Sequence, residues 1–325
     1  MDGPSSITLT TKSELSLLYR VLRRVIRPLR PRLVKPGKPL PAGSPALSPP
    51  KSLHITHSQS HSINLYTYQA DHATRCRTPS NPPRHQLFYF AGGGFQSPPS
   101  REHWKTLDFL SRALRDSYCV TLVSYPLAPH SAAPESLGAL RTWLDGACAA
   151  AVTRGHSVTL MGDSAGGNVA LNLAFWWADQ VVNQQARNPL SDIVVISPAT
   201  DLRNVNPDIR EADRRDPVLT VRMTTEVGRK WAGSWGVGSP MVSPNLADFN
   251  LLRQSGVRVH GVLGTSDVLG PDAEVFSRCC EKNGAKGEWL VWEGQMHCFV
   301  LAAVYGLPEG KKGRDWVLDV LKRYA

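Results

Sequence analysis

The stretch SVTLMGDSAGGNVALNLAFWWA, residues 157–178, decides the fold. It opens as a short apolar run, 157–163, that reads as a buried strand, and it closes as a helical pattern continuing to about residue 182. Between the two sits Gly162-Asp163-Ser164-Ala165-Gly166, a GxSxG, followed by Gly167. A strand that turns directly into a helix leaves room only for small neighbours, strains the central residue and lifts its hydroxyl above the sheet. The helix start adds free N–H groups and the positive end of a dipole, which favour an anion forming beside that hydroxyl. The placement reads Ser164 as a nucleophile, against the blander reading of a serine in a glycine-rich turn.

Outward from this elbow, short β-rich runs alternate with helical ones. Candidate strands lie at 52–59, 62–69, 85–91, 118–125, 157–163, 192–199, 257–265 and 287–293. The later ones are continuous apolar runs, the pattern of parallel strands covered on both faces. Helical patterns lie between them: one is marked by Trp104, Leu107, Leu110 and Leu114, others span 134–153, 165–182 and 271–283, and the last is marked by Trp316, Val317, Val320, Leu321 and Tyr324. The alternation predicts an α/β fold, a mostly parallel eight-stranded sheet between helices, with an antiparallel start at its first two strands. Residues 200–256 hold no strand pattern but a helical segment near Asp216–Trp231, and are read as a cap insertion.

The nucleophile needs a base, and His297 follows the last candidate strand on a loop. His54, His57, His61, His85 and His260 lie in or near strands and are poorer candidates. Asp267 follows the 257–265 strand and is expected to orient His297; Asp272, at a helix start, is the alternative. The order Ser164, Asp267, His297 is that of a triad built on such a sheet. The run Ala91-Gly92-Gly93-Gly94-Phe95 follows the 85–91 strand, and its glycines let backbone N–H groups approach a substrate carbonyl. Phe95 and Trp104 are expected to line an apolar substrate pocket.

The 325 residues suffice for one large domain with a cap, and 42% hydrophobic content is ordinary for a globular protein. Of the formal charge of +10, residues 1–40 contribute +7, from nine Lys/Arg and two Asp/Glu; the rest holds 28 against 25, a net +3. A nearly neutral body argues against nucleic acid, whereas a basic arm suits an anionic surface. Residues 14–29 have a helical pattern with Leu15, Leu18, Leu22, Val25 and Leu29 on one side and Arg20, Arg23, Arg24 and Arg27 largely on another. This helix is read first as part of the cap and second as a peripheral membrane contact. Residues 30–51 carry seven prolines and read as an extended surface linker. Residues 1–51 thus form a helix and linker, and 52–325 the catalytic domain with its insertion. Cys76, Cys119, Cys148, Cys279, Cys280 and Cys298 show no metal-ligand spacing and are read as reduced thiols in a cytoplasmic protein. No run approaches the ~18–20 apolar residues of a membrane span and no secretory signal is read at the start.

These motifs resemble the hormone-sensitive-lipase group of α/β hydrolases from about residue 84 to 324. The resemblance rests on the GDSAGG elbow, the glycine loop, Tyr125-Pro126-Leu127-Ala128-Pro129, Asp216-Pro217-Val218-Leu219, the D-x-L-x-x-D pattern at 267–272 and His297. It implies carboxylester hydrolysis through an acyl-serine on a small-molecule ester, with no metal or cofactor. It also implies oxyanion donors in the N–H groups of Gly93, Gly94 and Ala165, and a cap made of the N-terminal arm and residues 200–256. Two positions depart from the group's pattern: Ala91 stands where it has His, and His130 where it has Glu. The YFAGGGF variant looks like fungal hydrolases beside polyketide pathways. That opens a second reading, a tailoring enzyme acting as thioesterase, amidase or cyclisation catalyst in secondary metabolism. A third is a non-catalytic ligand binder on the same fold.

Overall fold

A computed structural model of the chain describes residues 6–30, 38–69 and 83–325; Cys76 and residues 31–37, at the start of the proline-rich linker, lie outside them. Among the described residues one sheet has nine strands: β1 (Ile7–Lys12), β2 (Ile55–Ser60), β3 (Ile63–Tyr68), β4 (His85–Phe90), β5 (Tyr118–Ser124), β6 (Ser157–Asp163), β7 (Leu190–Ile196), β8 (Arg258–Gly264) and β9 (Gly287–Trp292). Their order is β1-β9-β8-β7-β6-β4-β5-β3-β2. Only β3 runs against the others, since it pairs antiparallel with both β2 and β5. The antiparallel start is as expected.

The ninth strand corrects the expectation of eight. The polar ITLTTK of β1 pairs parallel with β9 and closes one edge of the sheet. Only Ile7 is buried there, so the segment lacks the apolar run by which the other parallel strands announce themselves.

Helices cover both faces, and alternation along each strand sends neighbouring side chains to opposite cores. Phe88, Phe90, Ile193 and Val195 join a cluster with helices α3 (Ala133–Arg154), α4 (Ser164–Gln184) and α8 (Gly270–Lys282). Leu87, Tyr89, Val194 and Ile196 join the opposite cluster with α2 (Arg101–Ala113) and α9 (Pro308–Arg323). The N-terminal helix α1 (Leu17–Ile26) packs on this second side through Tyr19, with Leu15, Leu22 and Ile26 beside it. The face named from sequence is therefore only half right: Leu18, Val25 and Leu29 point to solvent.

Between β7 and β8 lie α5 (Ile209–Arg215), α6 (Val221–Ala232) and α7 (Asn250–Ser255). The last of these packs on α4 as part of the body, so α5 and α6 carry the cap character of the insertion. The stretch after residue 38 is tied down: Leu47 N donates to Tyr66 Oη at 2.6 Å and Asn64 Nδ2 to the Ser44 carbonyl at 2.8 Å.

The elbow depends on close backbone approach. A methyl group at Gly166 would fall 1.9 Å from the Phe90 carbonyl oxygen, and one at Gly162 would fall 2.4 Å from the Gly166 oxygen. Gly166→Ala must push α4 away from β4, so it is expected to destabilise the protein by about 2 kcal/mol or more. Urea unfolding of the two proteins measures this; an unchanged midpoint would mean that the contact is not tight.

Candidate active site

The strand-to-helix turn places Ser164 at the first position of α4 with φ +52°, a left-handed conformation that a serine holds only under constraint. Its Oγ lies 2.9 Å from His297 Nε2, and His297 Nδ1 lies 2.8 Å from Asp267 Oδ2. The buried carboxylate accepts the Nδ1 proton, which leaves the Nε2 lone pair facing the serine hydroxyl. The three residues singled out from sequence therefore meet. Asp272 does not join them; it stands at the start of α8, its carboxyl pushed up to about 6 by burial and by Asp201. His57, His85 and His260 bond Asn64, Ser157 and Asp192 instead.

The loops bearing the acid and the base are laced together. Ser266 N donates to the Gln295 carbonyl at 2.9 Å, and Gly294 N to Thr265 Oγ1 at 2.9 Å. Asp267 Oδ1 accepts the Leu269 N–H at 2.9 Å, so its second oxygen is left for His297. Burial by itself would depress the His297 pKa, but the Asp267 charge and hydrogen bond outweigh it and hold the ring well above 6.5.

A second buried carboxylate, Asp216, stands behind this pair. Its Oδ1 accepts from Val218 N at 2.6 Å and Leu219 N at 3.0 Å, and its Oδ2 from Val268 N at 2.8 Å. It thereby clamps residues 218–219 to the Asp267 loop. Burial and the nearby Asp267 charge push its carboxyl up to about 6.

The glycine loop has its own support. Asp163, fully enclosed beside Ser164, accepts the Gly92 N–H at 2.8 Å and the Tyr89 hydroxyl at 2.7 Å. His103 of α2 places Nε2 3.1–3.2 Å from both Asp163 oxygens, and its Nδ1 accepts the Ser100 N–H at 2.9 Å. That second bond fixes Nε2 as the protonated nitrogen, aimed at the carboxylate. Burial alone would raise the Asp163 pKa; His103, Tyr89 and Gly92 together hold it below the usual range. An imidazole from α2 thus braces the loop beside Ala91, where the related pattern has a histidine. Sequence reading missed this set: Asp163 was only the variable position of GxSxG, and nothing local marks His103 as its partner. Cys298 is also close, its Sγ 3.4 Å from His297 Nε2 and 3.6 Å from Asp163 Oδ2.

A cavity of about 390 Å³ opens on this constellation. Gly92, Gly93, Gly94, Ser164, Ala165 and His297 line its polar end; Leu202, Val218, Leu219, Met223 and Val227 line the rest, so the insertion supplies most of the apolar wall. Phe95 lines it too, stacked on Trp231 of α6 with ring centres 4.5 Å apart. Trp104 does not. Its ring packs edge-on against Tyr66 at 5.7 Å in the core, because α2 turns its Trp104–Leu107–Leu110 stripe toward the sheet. No α1 residue lines the cavity, and His130 is exposed to solvent.

A family model described as the alpha/beta hydrolase fold matches residues 87–301, most of the chain. The chain belongs to the α/β hydrolases. Among curated relatives of this α/β hydrolase, a triacylglycerol lipase of Mycobacterium tuberculosis is 27% identical over 80% of this chain and 52% of its own length. The chain thus spans about half of that lipase. Human hormone-sensitive lipase is 29% identical over 48% of this chain and 14% of its own. A solved esterase of the bacterial hormone-sensitive lipase family superposes with a TM-score of 0.69 at 19% identity, over 93% of this chain and 90% of that one. The structural likeness bears on the fold alone.

Two outcomes follow from the site. If His297 is the base for Ser164, kcat/KM should rise with pH through a midpoint above 6.5 and fall away below it. Asp267→Asn should move that midpoint down and cut kcat by about 10⁴. Asp216→Asn, which removes a more distant negative charge, should move it down less, with a loss of no more than about tenfold. A pH profile for each protein tests the order, and an unshifted midpoint in Asp267→Asn would contradict it. Separately, His103→Ala should lower kcat by about 10- to 100-fold by loosening the glycine loop, and steady-state kinetics at saturating ester measures this.

Proposed function

We propose that this α/β hydrolase cleaves carboxylic esters of small apolar molecules through an acyl-serine intermediate. The observation that carries the reading is the unbroken line from Ser164 Oγ to His297 to Asp267, at 2.9 Å and 2.8 Å, opening onto a largely apolar cavity. As Ser164 Oγ attacks the ester carbonyl, its proton passes to His297 Nε2, and Asp267 stabilises the imidazolium. The N–H groups of Gly93, Gly94 and Ala165 are assigned to the oxyanion, at the glycine loop and the N-terminus of α4. Collapse of the tetrahedral species breaks the C–O bond, and His297 returns the proton to the leaving alcohol. Water, deprotonated by the same imidazole, then releases the acid and frees Ser164.

The cavity, about 390 Å³, sits at the low end of the range for small-molecule sites. It suits an ester with a short or medium acyl group better than a bulky triglyceride. The names of the two curated relatives, both lipases, agree with ester chemistry. The five described cysteines are all unpaired, which fits a cytoplasmic location. A polyketide tailoring role rests on the YFAGGGF resemblance alone, and no feature of the cavity selects it over ester hydrolysis. A mere binder would have no use for the complete triad.

Ser164→Ala should lower kcat on p-nitrophenyl butyrate by about three to six orders of magnitude while the far-UV spectrum stays unchanged. Near-normal turnover by that variant would refute the assignment. An acyl-thioester or aryl amide turned over faster than any short ester would move the reading to the tailoring class.

A further inference from the structure

Helix α1 carries more apolar surface than its packing uses. Leu15, Tyr19, Leu22 and Ile26 recur at steps of four, three and four and face the body. A second stripe, Leu18, Val21, Val25 and Leu29, recurs at steps of three, four and four. At ~100° per residue it lies about a quarter-turn round from the first. This stripe faces solvent: Leu18 is 57% exposed, Val21 50% and Val25 61%, and Leu17 at its start reaches 75%. Beyond it on the wheel come Arg20, Arg24 and Arg27, also exposed. From residue 15 to 30 there is no Asp or Glu.

The helix is not loosely attached. Glu309 of α9 accepts from the Ser16 N–H and hydroxyl, and Ser16 Oγ caps the helix by accepting the Tyr19 N–H at 3.1 Å. The Tyr19 hydroxyl donates to the Gly294 carbonyl at 2.9 Å. Arg27 and Arg30 reach the end of α5 at Arg214 and Asp213. The second stripe is therefore presented outward on a fixed scaffold.

We propose that α1 is a docking surface for an anionic lipid bilayer, with Leu17, Leu18, Val21 and Val25 entering the headgroup region and Arg20 and Arg24 pairing with lipid phosphates. A helix with an apolar face and a row of basic side chains lies in the plane of such an interface, and the long arginine stems let the charges stay at the surface while the apolar edge sinks. The charge distribution matches: the first 40 residues hold +7 of the +10. A second copy of the chain is a poorer occupant, because a two-fold contact across this stripe would bring the two arginine rows together. The contact is peripheral, since among the described residues no helix is long and apolar enough to cross a membrane.

The test is flotation of the full chain with vesicles of phosphatidylcholine alone or mixed with phosphatidylglycerol, at low and high salt. Binding is expected on the anionic vesicles, weakened by salt. Arg20→Gln and Arg24→Gln combined should lower that partitioning by about thirtyfold. Leu18→Gln, Val21→Gln and Val25→Gln combined should lower it by about tenfold or more. Both combined variants should keep the parent's thermal midpoint and its turnover of a short soluble ester. Failure of the parent to float at low salt, or flotation of the Gln-for-aliphatic variant equal to the parent's, would overturn the proposal. So would a parent dimer in sedimentation velocity that the aliphatic replacements abolish, since that would assign the stripe to a second copy.

Discussion

The turn at Ser164 is the constraint on which the rest of the site depends. A strand that passes without a loop into a helix must hold one residue in a left-handed conformation, and here that residue is Ser164, at φ +52°. The strain is sustained because α4 lies hard against β4 and β6, an approach that only glycine at 162 and 166 permits. The residue before the serine then does a second job. Asp163 directs its carboxylate back under the glycine loop, so the nucleophile and the loop opposite it are set by two consecutive residues. His103 and Tyr89 complete the brace from the other face of the sheet.

Behind the base, two buried carboxylates are arranged in series. Asp267 faces His297, and Asp216 faces the Asp267 loop and the first residues of the cap. Burying negative charge is costly unless each oxygen finds a donor. The donors are at hand: His297 and Leu269 for Asp267, and three backbone N–H groups for Asp216. The arrangement couples the cap to the acid. Val218 and Leu219, which wall the cavity, are joined to the loop of Asp267 through this one carboxylate.

Much of this was legible in the sequence, and the limits have physical causes. Ser164, Asp267 and His297 could be named because each stands at the end of an apolar strand, and strand ends are where such sheets gather their chemistry. β1 was missed because an edge strand with one buried side chain has no apolar run. The face read on α1 mixed packing residues, Leu15 and Leu22, with the outward Leu18, Val25 and Leu29, because a helical repeat says which residues align, not which alignment meets the core. Trp104 was placed at the pocket on residue type alone, whereas its helix buries it. The contacts of Asp163 with Gly92, of His103 with Asp163 and of Asp216 with Val268 join distant segments, and no local spacing encodes them. His103 also bears on the missing histidine at position 91: the supporting imidazole comes from a helix outside the glycine motif.

The central claim is that Ser164 is a nucleophile activated by His297 and Asp267. Treatment with a fluorophosphonate followed by peptide mass spectrometry tests it most directly. The account expects one phosphonyl group per chain, on the peptide that holds Ser164, formed quickly in the native protein and not after unfolding. A native protein that stays unlabelled, or one whose label sits on another residue, would contradict it.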